Sequence, residues 1–167
     1  PLPSLAPDLA DGGRVCLWGF SGGGTTLSVA YGPENPKLSC VIGYYPAVSL
    51  AHFAPNNPDW LRTYSPAHAV AADGGPASPP TLIVRAGKDT GMLNRMIADF
   101  AAKALERNLP VTILNLPLAQ HGFDWFDDTE WSRAAIERSF DFAREATFGA
   151  PTASQSADAL KRELVRL

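Results

Sequence analysis

The sequence predicts an α/β fold whose mostly parallel sheet is doubly wound, with helices on both faces. Apolar runs of strand length alternate with helical patterns four times along the 167 residues. The runs are almost continuously apolar, which is typical of parallel strands that are buried on both faces. Two neighbouring parallel strands require a crossover connection, and the helical segments between the predicted strands supply these connections. The length fits one domain, so we expect residues 1–167 to fold as a single unit.

Four segments have the composition of buried strands, namely 15–19, 39–45, 81–86 and 110–116. Helices are predicted over 25–31, 92–107 and 129–148, the last two from apolar residues at helical spacing. Asp127 and Glu130 resemble a capping box before the last helix. A lead-in rich in proline and glycine covers 1–13, and the tail 154–167 is predicted to add a short amphipathic helix.

The composition excludes several classes of protein. Hydrophobic residues make up 46% and charged residues 19%, which supports a packed core rather than a disordered chain. The 14 Lys and Arg against 17 Asp and Glu give a net charge of −3, so no cationic field is available for nucleic acid or an anionic membrane. No apolar run reaches the roughly 18 residues of a membrane span. We therefore expect no nucleic-acid partner and no membrane partner.

The two cysteines, Cys16 and Cys40, lie in apolar stretches, which predicts buried, reduced thiols rather than a disulfide. Reduced thiols and the lack of a basic-then-apolar leader favour the cytoplasm. No CxxC or HxxxH spacing indicates a metal site, so we expect no metal and no cofactor. The chain begins at Pro1 without a methionine, and an upstream part is expected to be absent.

The strongest chemical signal is the sequence Gly-Phe-Ser-Gly-Gly at residues 19–23, between a predicted strand and a predicted helix. This is the G-x-S-x-G pattern of a nucleophile elbow in its expected context. The serine is held in a strained turn whose flanking positions crowd each other, so we expect glycine to be required at Gly19 and Gly23. The turn would expose the Ser21 hydroxyl and direct the Gly22 N–H toward a developing oxyanion. A phosphate-binding loop is the alternative, but neither of its glycine patterns is present.

A serine hydroxyl needs a base to take its proton, and the chain has three histidines. His52 and His68 lie in the proline-rich stretch 46–80 and are predicted to be surface or structural residues. His121 follows the fourth strand, at the sheet edge where parallel sheets place functional groups. We predict His121 as the general base, and the alternative is a loop histidine that caps the next helix.

Asp89 follows the third strand at the same edge and is the predicted acid that orients His121. Asp89 has an alternative role as a cap for the helix that begins near Met92. Asp124 and Asp127 are alternative acids. Asp124 lies only three residues from His121, however, and Asp127 is better explained as a helix cap.

Together these segments resemble the α/β-hydrolase superfamily. The resemblance rests on GFSGG, TLIVRAGKD and HGFD, the last followed by a long helix, and it covers residues 14–148. The chain order Ser21, Asp89, His121 is the order that α/β hydrolases use. The HGFDWFDD stretch and the helix after it resemble dienelactone-hydrolase-like proteins. The resemblance implies a Ser-His-Asp triad with Gly22 in the oxyanion hole.

Two departures from the family pattern refine this expectation. Dienelactone hydrolases use a cysteine nucleophile, whereas Ser21 stands here, which favours a general carboxylesterase. The family's sheet has about eight strands with the nucleophile after the fifth, yet here the nucleophile strand is the first. The N-terminal strands, and the loop that supplies the second oxyanion N–H, are therefore expected to be missing. The strand 15–19 would then have an unpaired apolar edge, through which a homodimer could form.

The predicted function is that of a serine hydrolase that cleaves small carboxylic esters or lactones through an acyl-enzyme. Residues 46–80, preceded by Tyr45 and containing Phe53, Trp60 and Tyr64, are expected to form a cap over the acyl pocket. Packing of the loop alone is the alternative for these aromatic residues. Two other functions stay open: an acyl-peptide hydrolase or related peptidase with the same triad, and a truncated, non-catalytic fragment that acts as an interaction module.

Overall fold

The computed structural model describes residues 13–33, 35–75 and 77–149. Within these ranges four parallel strands form one sheet in the order β1-β2-β3-β4. The strands are Cys16–Phe20 (β1), Cys40–Tyr44 (β2), Thr81–Ala86 (β3) and Val111–Leu116 (β4). The predicted parallel α/β architecture is confirmed, and each strand begins within about one residue of its predicted start.

The helices of the described residues are Ser21–Ala30 (α1), Pro58–Tyr64 (α2), Pro66–Asp73 (α3), Gly91–Glu106 (α4), Phe123–Phe126 (α5) and Glu130–Phe148 (α6). α1 has 3-10 geometry and begins earlier than predicted, because the glycine cluster after Ser21 belongs to the helix. No helix in this part of the chain is both long enough and apolar enough to cross a membrane. The tail helix predicted at 154–167 and nearly all of the lead-in 1–13 lie outside the described residues.

The start of α6 is capped by Thr129 rather than by Asp127. The Thr129 hydroxyl accepts a hydrogen bond from the Ser132 N–H at 3.4 Å. Asp127 lies two residues before this cap, and its carboxylate accepts a hydrogen bond from the Thr129 N–H at 2.9 Å. The capping box predicted at Asp127 and Glu130 is therefore wrong, although the helix itself is present.

The sheet separates two apolar cores, because successive side chains of a strand face opposite sides. Val41 and Ile83 face the core that also holds Phe100 of α4 and residues of α1 and α3. Ile42 and Val84 face the second core, which α5 and α6 cover. Burial of each such aliphatic side chain contributes about 1.5–3 kcal/mol to the free energy of unfolding. The two cores hold the sheet, and with it the ends of the strands, in one position.

Residues 46–80 pack into the domain. Pro58 and Pro66 lie in the first turn of α2 and α3, where a missing N–H costs nothing. The stretch therefore contains two short helices. Ala67 and Val70 of α3 are buried in the same core as α1 and α4. Whether this stretch also covers a substrate stays a prediction.

β1 lies at one edge of the sheet and, within the described residues, pairs with β2 alone. The unpaired edge predicted for this strand is thus confirmed for that part of the chain. Trp18 stacks on Phe20 with ring centroids 6.0 Å apart and meets Phe140 of α6 edge-on at 5.4 Å. Phe20 is 43% exposed and Phe140 is 60% exposed. Aromatic side chains therefore form an exposed surface beside this edge.

Cys16 and Cys40 form a disulfide, so the prediction of two reduced thiols is wrong. The two cysteines begin β1 and β2, and the strand register pairs them directly. Their Cα atoms are 4.5 Å apart, within the range of disulfides. The sequence could not show this pairing, because it depends on the register of two strands whose cysteines are 24 residues apart. The cytoplasmic location stays a prediction and is no longer supported by reduced thiols.

We expect the double substitution Cys16→Ser with Cys40→Ser to lower the free energy of unfolding by about 3 kcal/mol, because the crosslink closes a loop of 24 residues in the unfolded chain. Urea unfolding with and without reductant measures the effect, and the double variant is the control that no longer responds to reductant. Two alkylatable thiols in the unreduced native protein would contradict the disulfide.

Candidate active site

Ser21 lies at the turn from β1 into α1. Its φ of 49° is in the left-handed region, which is strained for a residue with a side chain. The Ser21 carbonyl accepts a hydrogen bond from the Ala47 N–H at 2.8 Å, which connects the turn to the loop after β2. In this conformation the Ser21 hydroxyl reaches His121 in the loop after β4.

Gly19 is the glycine of the motif that the turn requires sterically. A Cβ at Gly19 would lie 2.9 Å from Cδ2 of Leu27 and 3.1 Å from the carbonyl oxygen of Gly23. A Cβ at Gly23 would meet nothing within 4 Å. The predicted steric need for glycine is therefore correct at Gly19 and wrong at Gly23.

Gly24 is a tight position that the sequence analysis missed. A Cβ there would lie 2.5 Å from Cβ of Pro46 and 2.7 Å from the Ala47 nitrogen. The first turn of α1 thus lies directly on the loop after β2. The G-x-S-x-G pattern ends one residue earlier, so the motif carries no signal for this contact.

His121 is hydrogen-bonded on both sides of its ring. Nε2 is 2.8 Å from Oγ of Ser21, and Nδ1 is 2.7 Å from Oδ2 of Asp89. The Asp89 side chain is only 2% exposed, whereas the His121 side chain is 42% exposed. The structure thus brings the three predicted site residues into one hydrogen-bonded row with a buried carboxylate at one end.

The loops after β3 and β4 are joined by backbone hydrogen bonds, and this holds the carboxylate against the imidazole. The Gly87 N–H donates to the Leu116 carbonyl at 2.8 Å, and the Lys88 N–H donates to the Ala119 carbonyl at 2.9 Å. A Cβ at Gly87 would lie 2.5 Å from the Pro117 carbonyl oxygen, so glycine permits the close approach of the two loops.

The alternative acids have other partners. Asp124 accepts a hydrogen bond from the Tyr45 hydroxyl at 2.5 Å, and Asp127 lies before α6 as described above. Of the three carboxylates considered from the sequence, Asp89 is the one hydrogen-bonded to His121.

His52 and His68 lie away from this row. His68 Nδ1 is 2.8 Å from Oγ of Ser65, and burial together with the nearby Lys103 charge lowers the pKa of His68. His52 lies edge-on to Phe53, with ring centroids 5.7 Å apart. Both histidines therefore have the structural or surface surroundings that the sequence predicts.

Tyr45 is a site residue whose position the sequence analysis missed, because we assigned it to an aromatic cap. It directly follows β2 at the same sheet edge as the other site residues, and it is 5% exposed. Its ring centroid lies 4.4 Å from that of His121. Its place at the C-terminal end of the predicted strand 39–45 was the available signal.

No protein-family model matches the chain, and no curated protein matches its sequence. Solved structures do match. A carboxylesterase from Lactobacillus plantarum is similar at a TM-score of 0.65 and 16% identity, over 90% of this chain and 66% of that chain. A carboxyl esterase from the fungus Tuber melanosporum is similar at a TM-score of 0.61 and 21% identity, over 79% and 54%.

A puromycin-hydrolysing peptidase from Mycobacterium tuberculosis is similar at a TM-score of 0.65 and 18% identity, over 91% of this chain and 25% of that chain. Two esterases and a peptidase are thus similar to this chain in fold. The chain has the α/β-hydrolase fold. The match spans 54% and 66% of the two esterases, so the chain corresponds to part of that fold.

In this α/β-hydrolase fold, Gly22 directly follows Ser21 in the first turn of α1 and is exposed. The first N–H groups of a helix lack acceptors within the helix, and the helix end adds positive potential. The Gly22 N–H is therefore a donor available to an anion beside Ser21. Within the described ranges, no group of three or more His, Cys, Asp or Glu side chains could hold a metal ion.

We expect Gly24→Ala to lower the free energy of unfolding by about 1–3 kcal/mol, because the added methyl meets the backbone of the loop after β2. Gly23→Ala, one residue earlier in the same helix, is the matched control and should leave stability unchanged or raise it slightly. Urea unfolding compares the two variants. Equal midpoints would contradict the close packing at Gly24.

Proposed function

We propose that the chain carries the catalytic part of a serine hydrolase that cleaves carboxylic esters. Ser21 is the nucleophile, His121 is the general base, and Asp89 orients the imidazole. The observation that carries the proposal is the unbroken hydrogen-bonded row from Asp89 through His121 to Ser21. A surface serine has no structural need for a histidine backed by a buried carboxylate, whereas an activated nucleophile does.

In the proposed reaction, Oγ of Ser21 attacks the carbonyl carbon of the ester while Nε2 of His121 takes the hydroxyl proton. The bond to the leaving alcohol then breaks, and His121 returns its proton to that alcohol. In the second half, His121 takes a proton from water, the hydroxide attacks the acyl-enzyme, and the proton returns to Ser21 as the carboxylic acid leaves. Asp89 stays ionised throughout and stabilises the imidazolium.

The Gly22 N–H is the proposed donor to the oxyanion that forms on the ester carbonyl oxygen. Sites of this chemistry commonly use two donors, and loss of one lowers kcat by about 10²–10³. With Gly22 as the one donor assigned among the described residues, we expect slow turnover from this chain. Formation of a stable covalent adduct at Ser21 depends less on repeated turnover and is therefore the better assay.

Esters are the favoured substrate class because two of the matched structures are named as carboxylesterases. Lactones are cyclic esters that react by the same steps, and the resemblance of the HGFD segment to dienelactone hydrolases adds them to the proposal. A serine rather than a cysteine at position 21 favours simple esters. The proposed substrate is a small molecule.

A peptidase is the second candidate, favoured by the match to the puromycin-hydrolysing peptidase. The same triad cleaves amides, but the leaving amine then depends more strongly on the proton that His121 delivers. Equal kcat/KM values for an ester and an amide of the same acyl group would favour the peptidase.

An interaction module is the third candidate, supported by the exposed aromatic surface beside the edge of β1 that pairs with no other described strand. The homodimer predicted from the sequence would form there. A concentration-dependent dimer that forms no covalent adduct would favour this candidate over a hydrolase.

We expect a fluorophosphonate probe to form one covalent adduct with the chain, and Ser21→Ala to abolish it. Asp89→Asn should slow labelling by about 10⁴, because the imidazole loses its orienting carboxylate. Intact mass spectrometry over time measures both. Ser49→Ala is the matched control, since Ser49 is hydrogen-bonded to the carboxylate of Asp99 without an intervening histidine. An adduct that forms on Ser21→Ala at the parental rate would overturn the assignment.

We also propose that residues 46–80 cover the acyl group. The rings of Trp60 and Tyr64 are 5.4 Å apart, and Tyr64 is 50% exposed, so the pair presents an aromatic surface against which we propose that the acyl chain lies. We expect Trp60→Ala to change the ratio of kcat/KM between long and short acyl esters by about tenfold. Leu105→Ala, an exposed apolar truncation on α4, is the control. An unchanged ratio would show that the aromatic residues only pack the loop.

A further inference from the structure

Tyr45 contacts the His121 loop at two separate points. Its ring lies against the imidazole of His121, with centroids 4.4 Å apart and ring planes inclined by 54°. Its hydroxyl donates a hydrogen bond of 2.5 Å to Oδ1 of Asp124, three residues after His121 in the chain. One side chain from the position directly after β2 thus contacts both the base and the short helix that follows it.

The backbone at Tyr45 is fixed in a strained conformation. Its φ of 38° is in the left-handed region, where a bulky residue is rarely found. The Tyr45 N–H donates to the Val84 carbonyl at 2.7 Å, which holds the residue to β3. The register pairs Phe20 with Tyr44, so Ser21 and Tyr45 are the next residues of the two adjacent strands. Strain of this kind is concentrated at functional sites.

The loop that carries His121 needs support from outside itself. The helix after it, Phe123–Phe126, is only four residues long, and a helix of this length is not stable alone. The imidazole is 42% exposed, so packing encloses it on one side only. A displacement of a catalytic group by about 1 Å can cost about 10²-fold in rate.

We propose that Tyr45, acting with Asp124, is a positioning residue that holds the imidazole of His121 between Ser21 and Asp89. The inference rests on the proposed function for its catalytic consequence, but the placement of the imidazole is a property of the folded chain. The Tyr45 ring limits rotation of the imidazole, and the bond from its hydroxyl to Asp124 holds the loop at its C-terminal side.

The Tyr45 hydroxyl has the right protonation state for this role. Burial raises the pKa of Tyr45, and the hydrogen bond to Asp124 and the charges of Asp124 and Asp89 raise it further, with a contribution from Tyr44. The hydroxyl therefore stays protonated, and remains a donor, at neutral pH and well above it. A hydrogen bond to a carboxylate is stronger than one between neutral groups.

Tyr45→Phe tests the inference because it keeps the ring and removes the hydrogen bond to Asp124. We expect the maximal rate of fluorophosphonate labelling to fall about tenfold at unchanged half-saturation, because the nucleophile is less activated while the probe binds as before. Asp124→Ala should have the same effect, the two substitutions should not add, and Asp124→Asn, which keeps an acceptor oxygen, should restore most of the rate.

Tyr44→Phe is the matched control. Tyr44 is the neighbouring tyrosine of β2, and its hydroxyl donates to Oγ of Ser139 in α6 at 2.8 Å. It is as buried as Tyr45, and burial, with a minor contribution from the charge of Asp124, raises its pKa to about 12 against the opposing effect of the hydrogen bond with Ser139. The control should lose stability but keep the labelling rate, since its hydrogen bond leads away from His121.

The imidazole can also be observed directly, by ¹⁵N-edited NMR of the histidine rings in the full chain. In the parent we expect one His121 tautomer, with the proton on Nδ1 facing Asp89; in Tyr45→Phe we expect a mixture of tautomers or an exchange-broadened signal. Tyr44→Phe should match the parent.

If Tyr45→Phe matches Tyr44→Phe in both the NMR signals and the labelling rate, the inference is overturned. If the parent forms no adduct, the hydrolase proposal fails, and the NMR comparison still decides the placement of His121.

Discussion

The parallel alignment of the strands is the constraint on which the site depends. Ser21, Asp89 and His121 lie one, three and five residues beyond the last residues of β1, β3 and β4. Because all of these strands point in the same direction, such short extensions meet at the end of the sheet that holds the C-terminal residues of the strands. Ser21 and His121 are 100 residues apart in the chain, and the sheet closes that distance. An antiparallel strand would have carried its residue to the opposite edge.

Two strained residues lie side by side at this edge. Ser21 and Tyr45 both have positive φ, and each such residue costs about 1–3 kcal/mol, a sizeable part of the 5–15 kcal/mol that stabilises a typical domain. Backbone hydrogen bonds from Ala47 to Ser21 and from Tyr45 to Val84 hold both conformations. The contact between Gly24 and the loop after β2 adds a third support. The site is thus held by the packing around it and is not a local property of the serine turn.

The sequence predicts what depends on local pattern. Continuous apolar runs identify the strands, and alternation with helices predicts their parallel order. Position directly after a strand identifies Asp89 and His121 as candidates, and the structure brings them into contact with Ser21. The sequence does not predict the tight packing at Gly24 or the ring contact of Tyr45, because each depends on how two distant segments meet. The sequence does not predict the Cys16–Cys40 disulfide for the same reason.

The disulfide has a consequence for where along the sheet Ser21 is placed. The crosslinked pair is the first of five in-register pairs, and the last, Phe20 with Tyr44, immediately precedes Ser21. A slip of β1 by one residue would turn its side chains to the wrong faces, and a slip by two would carry Ser21 about 6.6 Å along the strand, out of reach of His121. Among the described strands β1 pairs on one side only, with β2, and a strand paired on one side is the most free to slip. A covalent bond at the far end of β1 therefore fixes the register of the strand, and with it the distance between Ser21 and His121.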